Sequence, residues 1–203
     1  MRLADYPRRS KNGDPVWELT ALYPRQGQWT EADYLGLTSV ETGIEFNCGR
    51  LEFLPMPTRT HQEILQLIWL ALREFLAPRG DAWVSGLRVR TLKDRIRMPD
   101  VVALLDKSQG ADELFERADI VVEVVSGSDS DRERDYTEKR AEYEQAGIPE
   151  YWIVDPAEGR ITVLSLQNGK YIEYSRAEKG SKAESALLEG FVVDVTPLFE
   201  RTR

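Results

Sequence analysis

Apolar and polar positions along the chain follow two periods, about 3.6 and 2, and these assign most of its elements. Thr30-Glu-Ala-Asp33 fits a capping box with Asp in the glutamate place and opens a short helix through Leu37. Residues 44–54 alternate around Asn47-Cys48-Gly49, which predicts a hairpin. A second box, Thr60 with Glu63, precedes Ile64, Leu67, Ile68, Ala71, Leu72 and Phe75 at helical spacing, and Pro78 with Gly80 ends that helix. Residues 84–92 and 95–105 read as two strands joined by a Lys93-Asp94 turn, and 120–125 as a β-branched strand covered on both faces. Ser130 and Glu133 box a helix that runs to Ala146, with Gly147 as its stop. Residues 151–154 return as a strand closed by Asp155-Pro156. Residues 161–166 and 171–174 flank Asn168-Gly169 as a second hairpin. The tail from Gly190 predicts one short strand and a closing turn.

This order predicts a mixed α/β domain, its central sheet flanked by two main helices and hairpins near both ends. Residues 1–27, polar and broken by Pro7, Pro15 and Pro24, read as an extended arm before a domain over 28–203. The length of 203 residues suits one domain with an accessory tail. No apolar run approaches the roughly 18 residues of a spanning helix, and no secretory signal is visible, so a cytoplasmic protein is expected. One cysteine, Cys48, excludes an internal disulfide framework and a cysteine zinc site, and one histidine, His61, excludes a multi-histidine metal site within the chain. The net charge of −8 opposes a dedicated non-specific nucleic-acid binder, whose affinity comes from neutralising phosphates. It does not oppose a nuclease that needs carboxylates to hold a metal.

Three residues stand where the apolar pattern should not tolerate them. Asp100 follows Pro99 directly before an apolar run, and Glu123 interrupts another. A carboxylate inside a strand is costly unless it is paired or bound to a cation. Two on neighbouring strands would supply oxygen ligands for Mg²⁺, which keeps several waters. On the next helix Asp135, Lys139 and Tyr143 lie four apart and form one stripe. The bland readings stand beside these. Asp100 suits a strand edge, Glu123 and Lys139 suit a structural ion pair, and the stripe suits a solvated helix face. His61 suits a capping region, Tyr143 and Trp152 suit packing, and Ser126 either caps its loop or meets substrate. Arg88, Arg90, Lys93, Arg95 and Arg97 alternate along a hairpin, by default as a solvated face, otherwise toward phosphates. Hydrolysis by Ser126, His61 and Asp100 lacks the G-x-S-x-G elbow.

The ordered combination Met98-Pro99-Asp100, Val122-Glu123-Val124-Val125-Ser126, Glu138-Lys139, Tyr143 and Gly147-Ile-Pro-Glu-Tyr-Trp-Ile-Val-Asp-Pro156 resembles the Uma-two family of endonucleases, within the PD-(D/E)xK restriction-endonuclease-like superfamily. The resemblance runs from near Trp29 to near Phe191. It implies a restriction-endonuclease-like fold and metal-dependent cleavage of DNA with Mg²⁺ or Mn²⁺. Asp100, Glu123, the Val124 carbonyl and Glu52 are the implied metal ligands. The superfamily lysine normally sits two residues after the glutamate, where this chain has Val125. Lys139, on the following helix, matches the place from which this family supplies it. His61 matches a histidine common at the first long helix, and with Ser126 and Arg97 is expected to touch substrate. The resemblance also implies a homodimer, with Trp29, Tyr34 or Phe199 as candidate interface aromatics. An inactive, fold-retaining binding or assembly module is the alternative.

Overall fold

The computed structural model of the chain describes residues 23–37, 43–84, 86–126 and 132–200. Most of the expected arm, and Ser130 of the third capping box, lie outside the described residues. Thr30 caps α1 (Glu31–Leu35) with both bonds of a capping box. Strands β1 (Ile44–Asn47) and β2 (Arg50–Phe53) pair antiparallel. Their two-residue turn requires positive φ twice, supplied by Cys48 at 47° and Gly49 at 82°. A Cβ on Gly49 would also stand 2.9 Å from the Gly27 carbonyl oxygen.

The long amphipathic helix is α2 (Arg59–Leu76), burying Ile64, Leu65, Ile68, Leu72 and Leu76. Its cap is Thr58, not Thr60. The Thr58 hydroxyl accepts the His61 amide at 3.2 Å from an extended backbone, so the helix starts earlier than expected. Phe75 then falls outside the buried stripe.

The run expected as one strand over 84–92 divides into β3 (Asp81–Val84) and β4 (Arg88–Leu92). The run over 95–105 divides into β5 (Arg95–Arg97) and β6 (Val101–Leu104). Pro99 stands at the second break, where a residue without an amide hydrogen cannot serve a ladder. On its two sides the chain belongs to different sheets. With β7 (Leu114–Phe115), β5 lies in a five-stranded sheet of order β2-β1-β5-β4-β7.

A six-stranded sheet contains β8 (Ile120–Val124), β9 (Glu150–Asp155), β10 (Arg160–Gln167) and β11 (Lys170–Glu178), in the order β11-β10-β9-β8-β6-β3. Among the described residues of this sheet only β8 and β9 pair in parallel. Parallel neighbours need a crossover. Residues 134–146 lie on it, first as π-helical turns over Arg134–Lys139 and then as α3 (Arg140–Ala146). Gly147, at φ 76°, ends it. Beyond the second hairpin β12 (Lys182–Glu184) pairs with β13 (Val192–Asp194). The expected closing turn is a helix, α4 (Val195–Glu200), started by the Asp194 carboxylate accepting the Thr196 amide.

The strand period of two sorts the core. Val122, Val124, Trp152 and Val154 pack under α2. Val102, Val121, Val125, Tyr151 and Ile153 pack with Tyr143 of α3 on the other face. Trp29 and Tyr34, expected as interface aromatics, are buried in the small core of the first hairpin, and Phe199 packs partly buried on the main core. Among the described residues no helix is long and apolar enough to cross a membrane.

Candidate active site

Glu123 shares strand parity with Val121 and Val125, so it faces α3 from the middle of the sheet. Asp100 shares parity with Val102. The β6–β8 register pairs Val101 with Val122, so one more step brings Asp100 opposite Glu123. The Asp100 Oδ2 atom accepts the Val124 amide at 2.8 Å and lies 3.1 Å from His61 Nε2. From the helical side, Lys139 Nζ stands 2.8 Å from Glu123 Oε1, and the Tyr143 hydroxyl donates to that oxygen at 2.6 Å. Asp135 Oδ1 is 3.6 Å from Lys139 Nζ. The stripe read from the sequence is thus a single surface closing on Glu123. Tyr143 packs, as expected, but it also bonds the glutamate.

One member was missed. Glu45 is completely buried, accepts the Met98 amide at 3.0 Å, and places Oε1 3.7 Å from Lys139 Nζ. The alternation of the hairpin had assigned Glu45 to a polar face. The signal lay in the pairing: Glu45 stands directly opposite Glu52, and like charges so placed repel unless a cation intervenes. That cation is Arg97.

The default reading of Arg97 on a solvated strand face does not hold, because the side chain is only 1% exposed. Its guanidinium bonds Glu45 at 2.9 Å, Glu52 at 2.7 Å and Glu142 at 2.7 Å. Expected to meet substrate, it is occupied instead by three carboxylates. Glu52, expected near a metal, accepts Arg97 on one oxygen and the Asn47 amide group on the other. It is absent from the lining of the cavity that holds Asp100 and Glu123.

These contacts set the protonation states. Burial raises the Glu123 pKa, and the charges of Asp100, Asp135 and Glu45 add to it. Together they outweigh Lys139 and bring the carboxyl to about 8. Burial opposes the charge on Lys139, but Glu123, Glu45 and Asp135 hold its proton and raise its pKa. Glu45 goes the other way. Although burial penalises its charge, Lys139, Arg97 and the Met98 amide lower it to about 2. His61 is pulled down by burial and up by its bond to Asp100, with a net rise.

Asp100, Glu123, Asp135 and Lys139 line a cavity of about 600 Å³, together with His61, Val124 and Ser126. Lys139 faces Glu45, Glu123 and Asp135, with Arg97 also pairing Glu45, and the buried Asp135 Oδ1, 3.6 Å from both Lys139 Nζ and Arg134 Nε, has no hydrogen-bond partner among the described residues. Acidic oxygens lining one cavity, one of them without a hydrogen bond among the described residues, fit a cation. Among the described residues no three histidine, cysteine or acidic side chains form a ready metal cage. The hard oxygens of Asp100 and Glu123 therefore suit an ion such as Mg²⁺, which keeps water at its other positions.

A family model described as "Uma2: Putative restriction endonuclease" matches residues 31–196. A solved structure described as "a putative nuclease belonging to DUF820" from Anabaena variabilis superposes with a TM-score of 0.69 at 19% identity, covering 86% of this chain and 99% of that one. At that identity the likeness establishes the fold. No curated protein matches.

Proposed function

Because this chain belongs to the Uma2 restriction endonuclease family, we propose that it hydrolyses phosphodiester bonds of DNA at the Asp100–Glu123–Lys139 cluster, most simply as a homodimer. The observation that carries this reading is the ammonium of Lys139, 2.8 Å from Glu123 in a cavity that Asp100 also lines. Asp100, Glu123 and the Val124 carbonyl would hold Mg²⁺ or Mn²⁺. Such an ion, when bound, acidifies water and offsets charge on the phosphate. Lys139 remains protonated and presents positive charge where negative charge develops on the phosphate oxygens. Tyr143, its pKa pushed well up by burial and by Glu123, remains a donor and fixes the orientation of the glutamate. His61 takes up Asp100 Oδ2 and limits the rotation of that carboxylate. Ser126, on the cavity wall, would contact the substrate there.

The same 2.8 Å contact would persist in an inactive assembly module, so turnover must decide between the readings. Mg²⁺-dependent nicking of plasmid DNA should be lost in Glu123→Ala and in Lys139→Ala when melting shows both variants folded. Undiminished cleavage by both variants removes the assignment.

A further inference from the structure

The cavity has a second wall of different chemistry. Residues 54–57, Leu-Pro-Met-Pro, join β2 to α2 and line the same space as Asp100 and Glu123. Met56 is 83% exposed and the adjoining Phe53 is 66% exposed. Large apolar side chains held in water beside a polar cavity mark a contact surface. The floor, by contrast, is closed: Glu123 is 3% exposed and Lys139 2%. A phosphate must therefore come in to them.

Size and charge decide what can enter. About 600 Å³ is the scale of a small-molecule pocket. A B-form duplex is far wider, since its major groove alone spans about 12 Å. Duplex affinity also comes largely from many phosphates neutralised by lysine and arginine. Here five lining carboxylates, Asp100, Asp112, Glu113, Glu123 and Asp135, face three fixed cations, Arg88, Arg134 and Lys139. The whole chain carries −8. An unpaired strand depends less steeply on each neutralised phosphate and also offers its bases to packing. The guanidinium of Arg88, anchored 4.9 Å above the Tyr34 ring, offers one phosphate contact on the lining.

We infer that the cavity takes an unpaired nucleotide of a DNA strand, its base packing on Met56 and the 54–57 rim, so that the substrate class is single-stranded or locally unpaired DNA. This deepens the nuclease reading and rests on it for the cut. How the strand is held is tested apart from cleavage.

The test is fluorescence anisotropy of the full chain with a labelled single-stranded oligonucleotide and with its duplex, Ca²⁺ replacing Mg²⁺. The single strand should bind at least about tenfold more tightly than the duplex. Met56→Asp should weaken single-strand binding roughly tenfold, which is about 1.4 kcal/mol, Met56→Leu should restore it, and both should melt like the parent. Equal or tighter duplex binding overturns the inference, as does an unchanged Met56→Asp or the absence of binding to either DNA. A dimer that Met56→Asp dissociates without changing strand binding overturns it too, since the rim would then be an interface between copies. Tight single-strand binding with no cleavage in Mg²⁺ or Mn²⁺ leaves this inference standing and sinks the nuclease reading instead.

Discussion

Glu45 shows what one buried charge does here. Its oxygens reach Arg97, the Met98 amide and Lys139, and thereby tie the first hairpin to the break at Pro99 and to the crossover helix. Its folded pKa of about 2 lies below the ordinary glutamate value near 4.3. A depressed carboxyl contributes stability that is fully present above the ordinary value and is lost as pH falls toward the folded one. The gap corresponds to about 3 kcal/mol. Melting temperature should therefore drop steeply between about pH 4.5 and pH 2, and Glu45→Gln should flatten that limb while lowering stability at neutral pH. An unchanged acid limb in Glu45→Gln would show that the charge is carried elsewhere. Asp100, Glu123 and Lys139 were legible from sequence because each interrupts an apolar pattern or completes a helical stripe. Glu45 was not, because its partners are tens of residues away and its own neighbours alternate like an ordinary hairpin.

Among the elements, the helices carry the clearest local signals and still slipped at their ends. Two threonines two residues apart, Thr58 and Thr60, both fit a cap, and the Thr58 bond to His61 decides between them. Thr58→Ala should cost about 1 kcal/mol by denaturant titration, and because the cap positions His61 it should also weaken the hold on Asp100. A second element-level consequence concerns the crossover. Tyr143 joins α3 to β8 through its bond to Glu123, inside a dry face of the sheet. Tyr143→Phe leaves that carboxyl without one donor and should destabilise by about 1–3 kcal/mol. A loss well under 1 kcal/mol would mean that the hydroxyl matters little to how the helix is seated. The π-helical turns that bring Asp135 and Lys139 to Glu123 have no sequence signature distinct from an ordinary helix, so the stripe was legible and its winding was not.

The whole molecule brings the sheets, and hence the site, together. Asp100 stands at the point where the chain leaves the five-stranded sheet for the six-stranded one, and Lys139 comes from the crossover between the parallel strands β8 and β9 of that larger sheet. An ion that binds the folded state alone stabilises it by mass action, by about 2.7 kcal/mol at a hundred times its dissociation constant. Millimolar Mn²⁺ should thus raise the melting temperature by several degrees in the parent and by much less in Asp100→Asn. A flat response in the parent would count against the metal.

From sequence alone came most of the element types, the interruption of apolar runs by Asp100 and Glu123, and the stripe of Asp135, Lys139 and Tyr143. Those properties depend on spacing within a few residues, which local sterics and hydrophobic periodicity settle. Folding in three dimensions decided that residues 95–105 serve two sheets, that Arg97 faces inward to three acids, and that Glu45 stands beside Lys139. Each of those outcomes turns on a partner far along the chain, and the cost of burying a charge is known only once that partner's distance is known.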